Sequence, residues 1–344
     1  MSDGDRLDRA RSLADSIISA DITGPRRERY VDLVETAVLL CEDDLSDLDF
    51  KIAGSALREM REAFAMFRPY SGLRKVTIFG SARTKAHDPL YDHTARLAAR
   101  LAERGWMVVT GAGPGIMEAG MVGAGKEMSI GVSIRLPFET GANPIIAGDE
   151  KYVSMRYFFT RKLMLVKESH AFVALPGGFG TLDETFELLT LLQTGKSVPV
   201  PVVLMNLDES MYWEHLDEFF RKTLLPMGMI SEDDFSHYLL TSSIERAVSE
   251  ISTFYSNYDS LRFVGPNLYI RHRRKLTESD VAALNVEFAD LLTDGTIAVS
   301  ESSKAERTEN DRLDLERLKL RFDKRSYGRL RELINRLNQL GAAS

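Results

Sequence analysis

Apolar and polar positions alternate along this chain in three textures. Up to about residue 70, apolar residues recur at helical spacing: Leu7, Leu13, Ile17 and Ile18, then Tyr30, Leu33, Val34, Val38 and Leu39. Gly24-Pro25 separates two helices, Cys41-Glu42-Asp43-Asp44 reads as an acidic loop, and residues 56–67 predict a third helix. From residue 75 the pattern becomes short apolar runs alternating with helical periods. Runs at 75–79, 106–110, 129–136, 171–175 and 198–205 predict strands. Residues 91–104, 116–126, a stretch from Phe158 and a stretch from Thr181 predict helices. Near-continuous apolar runs mark strands covered on both faces, and their alternation with helices implies right-handed βαβ units in a parallel sheet. Pro199 and Pro201 suggest a strand entry or an edge.

Beyond about residue 260 the texture changes again. Leu268 and Ile270, and later Leu318, Leu320 and Phe322, alternate with polar residues as half-exposed strands do. Residues 281–292 and 330–340 predict amphipathic helices, and the charged stretch 300–311 a loop. The run Arg271-His272-Arg273-Arg274-Lys275 reads as a solvated strand end. The expected architecture is α/β: a Rossmann-like doubly wound parallel sheet over residues 71–258, a helical N-terminal extension over 1–70, and a small α+β appendage over 259–344. No internal repeat stands out.

Three of the predicted strands end in small or glycine-rich turns: Gly80-Ser81-Ala82-Arg83, Gly111-Ala112-Gly113-Pro114-Gly115, and Pro176-Gly177-Gly178-Phe179-Gly180-Thr181. Open α/β sheets bind ligands beyond the carboxyl ends of their strands. A glycine turn leading into a helix points backbone N–H groups and the positive end of the helix dipole at an anion. The second turn fails the G-x-G-x-x-G spacing, since its sixth position is Ile116, and lacks the Gly-Lys-Ser/Thr of a Walker A loop. Three such turns along one sheet edge suggest a site for a phosphorylated sugar. Thr181 is an N-cap or a phosphate-contacting hydroxyl. Glu184 falls in the first turn of its predicted helix, with Asp183 and Glu187 as rival carboxylates. Arg161 and Lys162 sit among Phe158, Phe159, Leu163 and Leu165, and either snorkel outward or point into a cavity.

Composition narrows the partners. Of 344 residues, 44% are hydrophobic, enough for a sizeable core, and the formal net charge of −7 argues against nucleic-acid binding. One cysteine, Cys41, permits no intrachain disulfide and no multi-cysteine zinc site, and the six histidines show no ligand spacing, so no metal is expected. No apolar stretch approaches the roughly 20 residues that span a bilayer. The charged amino terminus lacks the apolar region of a secretory signal. A cytoplasmic protein that binds neither membrane nor nucleic acid is expected.

Pro176-Gly-Gly-Phe-Gly-Thr-Leu-Asp-Glu184 resembles the PGGxGTxxE signature of the LOG ("lonely guy") family of cytokinin-activating phosphoribohydrolases, and Phe158-Phe-Thr-Arg161-Lys162 resembles the arginine–lysine helix that precedes it there. Gly80-Ser81-Ala-Arg83, Gly111-Ala-Gly-Pro-Gly-Ile-Met-Glu118 and Leu136-Pro-Phe-Glu-Thr-Gly-Ala-Asn-Pro144 resemble the longer bacterial members. The resemblance covers about residues 70–255. It implies cleavage of the N-glycosidic bond of a purine nucleoside 5′-monophosphate, AMP or an N6-modified AMP, to free base and ribose 5-phosphate, without a cofactor. It maps the catalytic pair onto Arg161 and Glu184, choosing Glu184 over its acidic neighbours. It maps the phosphate and ribose onto Ser81, Gly113, Gly115, Gly177, Gly178, Gly180 and Thr181. Arg83, Glu118 and Lys162 lie in the same segments and are further expected contacts. It also implies at least a homodimer. Such proteins are often labelled lysine decarboxylases. No histidine here directly precedes a lysine, and no other motif for an aldimine lysine stands out. The alternative functional reading is a nucleotide-binding carrier or sensor that does not hydrolyse; a dinucleotide oxidoreductase is a weaker one.

Overall fold

The computed structural model describes residues 3–137, 141–208 and 210–340. Residues 138–140 of the Leu136 to Pro144 segment lie outside the described residues. The chain divides into two compact units, residues 1–62 and 63–344. The first is helical: α1 (Asp3–Ile17), α2 (Gly24–Glu42) and most of α3 (Asp47–Phe67), with Pro25 in the first turn of α2 as its pre-set φ favours. Helix α3 begins nine residues before the predicted 56, with Asp47 and Asp49 complementing the dipole of its first turn.

The second unit opens with the α/β core. In order it holds β1 (Lys75–Phe79), α4 (Pro89–Ala102), β2 (Met107–Thr110), α5 (Ile116–Ala124), β3 (Ser129–Ile134), β4 (Tyr152–Met155), α6 (Phe158–Glu168), β5 (Ala171–Ala174), α7 (Phe179–Gln193), β6 (Val202–Met205), α8 (Tyr212–Phe219), β7 (Leu239–Thr241) and α9 (Ile244–Thr253). The seven strands form one parallel sheet in the order β4-β3-β2-β1-β5-β6-β7. This is the expected doubly wound α/β architecture. Its central strands are buried along their whole length, and Val76, Ile78, Val108, Val173 and Val203 meet Leu97, Ile116, Val248 and Ile251 of the covering helices. Helix α4 starts at Pro89 rather than 91 because Asp88 accepts a hydrogen bond from the Leu90 N–H and Pro89 takes the first helical position. Strand β6 starts at Val202, after both prolines, since neither can donate to the ladder. Strand β4 escaped prediction: it is a four-residue strand at the edge of the sheet, with every second residue half-buried.

The rest of this unit holds β8 (Tyr258–Val264), β9 (Asn267–His272), α10 (Glu278–Glu287), β10 (Leu292–Val299), α11 (Lys304–Glu309), β11 (Glu316–Phe322) and α12 (Tyr327–Leu340). Its strands form an antiparallel sheet, β10-β11-β9-β8, over a core that includes Leu268, Ile270, Leu318, Leu320, Leu330, Ile334 and Leu337. Two expectations fail here. The stretch 300–311 contains α11, nucleated by a capping box of Ser303 and Glu306. Arg271 is no solvated strand end: it is 4% exposed and pairs with Glu306 at 2.7 Å and Asp311 at 2.6 Å, while Glu306 also meets Arg317. Burial raises the Glu306 carboxyl, but hydrogen bonds from the Ser303 backbone N–H, Arg271 and the Ser303 hydroxyl, with the charge of Arg317, outweigh it and hold the group at about 2. Arg273, Arg274 and Lys275 are exposed.

Candidate functional site

The sheet order reverses between β1 and β5, so the turns that follow these strands diverge and leave a crevice at the switch point. The turn after β2 joins them from the neighbouring strand. Backbone hydrogen bonds knit the three together: Ser81 N–H donates to the Pro176 carbonyl at 3.3 Å, and Ile116 N–H donates to the Ser81 carbonyl at 3.0 Å. Glycines make the contact possible. A Cβ on Gly80 would lie 2.4 Å from the Ile116 side chain. One on Gly115, whose φ is +69°, would lie 2.4 Å from the Ser81 carbonyl oxygen.

The resulting cleft encloses about 840 Å³ and is lined by Ser81, Arg83, Gly111, Gly113, Arg161, the turn 177–181, Asp183, Glu184 and Tyr212, with an apolar wall of Ile78, Phe79, Met117, Ile134, Leu136 and Phe158. Helix α7 begins at Phe179 with Gly178 as its N-cap; the Thr181 and Leu182 amides donate to the Gly178 carbonyl, while Phe179 and Gly180, whose amides come before the first intrahelical bond, line this space. Thr181 is therefore not the cap. It sits one turn in, 6% exposed, and its hydroxyl fills the spot where a Cβ on Gly177 would come within 2.1 Å.

Glu184 also moves. With the helix starting at Phe179 it lies in the second turn, beyond the positions where an acid merely complements the dipole. It is 7% exposed and lines the cleft. Burial raises its carboxyl from 4.5 to about 7, against the lowering effect of Arg161 and Lys162. Arg161 does not snorkel. Its side chain is 12% exposed, its Nε donates to the Val132 carbonyl at 3.1 Å, and its Nη1 stands 3.8 Å from Glu184 Oε1. That distance is a charge contact rather than a hydrogen bond.

The structure brings Ser81, Arg83, Gly113, Arg161, Gly177, Gly178, Gly180, Thr181 and Glu184 to the cleft wall. Gly115, Glu118 and Lys162 are not among the side chains lining it. Gly115 packs behind, against the first turn. Lys162 faces the other side of α6, where its ammonium meets Glu187 at 2.7 Å and Asp183 at 2.9 Å. Burial lowers its pKa, but these hydrogen bonds outweigh it and leave a firmly charged lysine.

Three residues to which the sequence reading gave no individual role matter to the site. Gly111 makes room for the arginine: a Cβ there would lie 2.4 Å from Arg161 Nη2. Tyr212, on α8, donates its hydroxyl to the Gly177 carbonyl at 2.7 Å and ties down the third turn. Asn143, buried, does the same for the second, donating from its amide to the Gly113 carbonyl at 3.2 Å and from its backbone to the Ala112 carbonyl at 2.8 Å. These bonds help hold Ala112 at its positive φ of 58°, an unusual conformation for alanine. Gly111 carried a local signal as the opening glycine of a strand-end turn, and Asn143 lay in the Leu136 to Pro144 segment; Tyr212 carried none. Among the described residues no group of three or more His, Cys, Asp or Glu side chains is arranged to hold a metal.

The structure thus presents a parallel α/β sheet whose switch-point crevice is lined by a helix amino terminus, a buried carboxylate and an adjacent guanidinium. The family whose members are described as "Possible lysine decarboxylase" matches residues 114–251. The chain is 29% identical over 196 residues to the cytokinin riboside 5′-monophosphate phosphoribohydrolase LOG of Oryza sativa subsp. japonica, covering 55% of this chain and 77% of that protein. It is 29% identical over 164 residues to the probable phosphoribohydrolase LOGL1 of the same plant, covering 46% and 71%. Among solved structures, a molybdenum cofactor binding protein from the phototrophic bacterium Rippkaea orientalis superposes with a TM-score of 0.37 at 19% identity, over 53% of this chain and 96% of that one. Through its α/β core the chain is related to the LOG family.

Proposed function

We propose that this protein hydrolyses the N-glycosidic bond of a purine nucleoside 5′-monophosphate, AMP or an N6-modified AMP, releasing base and ribose 5-phosphate. The observation that carries the reading is Glu184, buried at the cleft wall within 3.8 Å of the Arg161 guanidinium. The naming of the relatives as phosphoribohydrolases supports it. Departure of the base leaves positive charge on the ribose ring. An ionised carboxylate beside the anomeric carbon stabilises that charge or takes a proton from the attacking water. Arg161 orients Glu184 or the ribose hydroxyls. The phosphate rests on the amides at the start of α7, remote from the bond that breaks, and holds the sugar in register. The apolar wall opposite accommodates the base.

Purified protein incubated with AMP and followed by chromatography is expected to release adenine; no base from AMP, other common monophosphates or N6-prenylated AMP would defeat the proposal. Because Glu184 must be ionised in either role and burial lifts it to about 7, kcat/KM is expected to fall as pH drops through about 7. A profile flat from pH 5.5 to 8 would remove Glu184 from the rate-limiting chemistry. Tyr212→Phe deletes one hydrogen bond to the phosphate turn, worth roughly 1 kcal/mol. It should raise KM for the monophosphate about fivefold with kcat little changed, and an unchanged KM would show that the turn holds its shape alone.

At least a homodimer is proposed as the working assembly. Exposed apolar side chains on α6 and α7, namely Phe158, Phe159, Leu163 and Phe186, support it, as does the prevalence of symmetric dimers. Sedimentation of a monomer at micromolar concentration would contradict it. Cytoplasmic location is proposed with it. No helix among the described residues is long and apolar enough to cross a membrane.

A further inference from the structure

Helix α6 grips α7 from two sides. On the cleft side, Arg161 Nη1 stands 3.8 Å from Glu184 Oε1. On the other side the next residue, Lys162, places its ammonium 2.7 Å from Glu187 Oε2 and 2.9 Å from Asp183 Oδ1. Asp183 and Glu187 are one turn apart, at i and i+4, and Glu184 lies between them in the chain, so three carboxylates crowd one stretch of helix. Like charges at this spacing repel and destabilise a helix. Lys162 bridges the two outer ones. Its side chain is 14% exposed, and Glu187 Oε2 is closed off from solvent, so the ammonium takes the place of the water that this oxygen lacks.

The charged side chains that act on Glu184 come from both helices. Arg161 and Lys162 of α6 favour its ionised form, and Glu187 and Asp183 of α7 oppose it. Among the described residues Arg83, on the turn after β1, is the remaining charged side chain along the cleft wall. Lys162 therefore acts twice. It attracts the charge on Glu184 directly, and it pairs with the two acids that would drive that charge away. A neutral residue at 162 would leave Arg161 to balance all three carboxylates.

We propose that Lys162 is a positioning residue for Glu184: by bridging Asp183 and Glu187 it fastens α6 to α7 and screens Glu184 from two like charges. Its consequence for the rate rests on the reading of Glu184 as the working carboxylate. Its consequence for the charge on Glu184 does not.

The first test needs no substrate. The Glu184 carboxyl is titrated by carbon NMR in the full chain labelled at glutamate, its signal assigned by its loss in Glu184→Gln. In Lys162→Met, which keeps most of the stem and removes the charge, the midpoint is expected to rise by about 1 pH unit. Lys162→Arg restores a cation and should return the midpoint to that of the parent. If the methionine variant does not fold, Lys162→Gln removes the charge with a polar side chain. An unmoved midpoint in a folded uncharged variant, or an arginine variant that titrates like it, would overturn the proposal. The second test is the rate with a nucleoside monophosphate. From a midpoint of about 7, a rise of that size lowers the ionised fraction, and with it kcat/KM, about fivefold at pH 7, and the loss should be nearly gone at pH 9. A loss equal at pH 7 and pH 9 would mark Lys162 as a purely structural residue and overturn the proposal as well. Absence of turnover in the parent would defeat the proposed reaction and leave the titration to decide the role of Lys162.

Discussion

Glu184→Gln is expected to lower base release from a nucleoside monophosphate by about 10²–10⁴-fold while leaving the fold intact. Glutamine keeps the shape and cannot ionise. The same substitution is expected to make the protein more stable at high pH. The folded pKa of about 7 lies above the ordinary 4.5, so folding disfavours the ionised carboxyl. Below 4.5 both folded and unfolded chains carry the proton and the residue is neutral with respect to stability. As pH rises from 4.5 to 7 the unfolded chain ionises first, and stability falls; above 7 the full cost is present. The rise corresponds to at most about 3 kcal/mol, less where water reaches the cleft side of the carboxyl. Unfolding midpoints measured by denaturant should therefore separate variant and parent at pH 8 and converge at pH 4.5. An equally active variant would show that the carboxylate is not the working group, and a variant whose stability gain over the parent is no greater at pH 8 than at pH 4.5 would show that it is not strained by burial. A gain in stability with a loss of activity is the pattern of a site that keeps a charge where the fold alone would not.

Gly111→Ala is expected to cost on the order of 10²-fold in kcat/KM, the scale of an ångström's misplacement of a catalytic group. The added methyl would sit 2.4 Å from Arg161 Nη2 and 2.6 Å from the Met117 sulfur, so the guanidinium must leave its place beside Glu184. Met117 lines the cleft and is also displaced. The substitution should change the pH profile as well: with Arg161 farther off, the lowering contribution to Glu184 weakens and the apparent pKa rises. Steady-state kinetics from pH 6 to 9 read both effects. Parent-like rates and an unmoved pKa would mean that Arg161 has room to retreat without losing its role.

The parallel sheet was legible because buried strands announce themselves. Ala171–Ala174 reads as an apolar run that ends just before Pro176, and in Lys75–Phe79 the apolar Val76, Ile78 and Phe79 run straight into Gly80; both strands are buried along their whole length. Elements that depend on capping or on an edge position were harder. Helix α11 is six residues nucleated by a capping box within a polar stretch, and β10 is mostly exposed along its length. Arg271 misled for a related reason: a run of basic residues looks solvated, and only the distant Glu306 and Asp311 make its burial tolerable.

The sequence by itself determined the α/β order and the three small turns at strand ends, local properties set by hydrophobic period and by the backbone freedom of glycine. Among Asp183, Glu184 and Glu187 it left the carboxylate open, and only the resemblance of Pro176 to Glu184 to the LOG signature singled out Glu184. Tertiary structure decided what those residues face. It turned Arg161 inward and Lys162 outward from adjacent positions on one helix, because successive helical residues point about 100° apart and only packing says which direction is the cleft. It set Glu184 in the second turn of α7, where burial rather than the helix dipole governs its charge. It brought Gly111, Asn143 and Tyr212 from three separate elements to support the same turns, through contacts between residues too far apart in the chain for any spacing rule to connect.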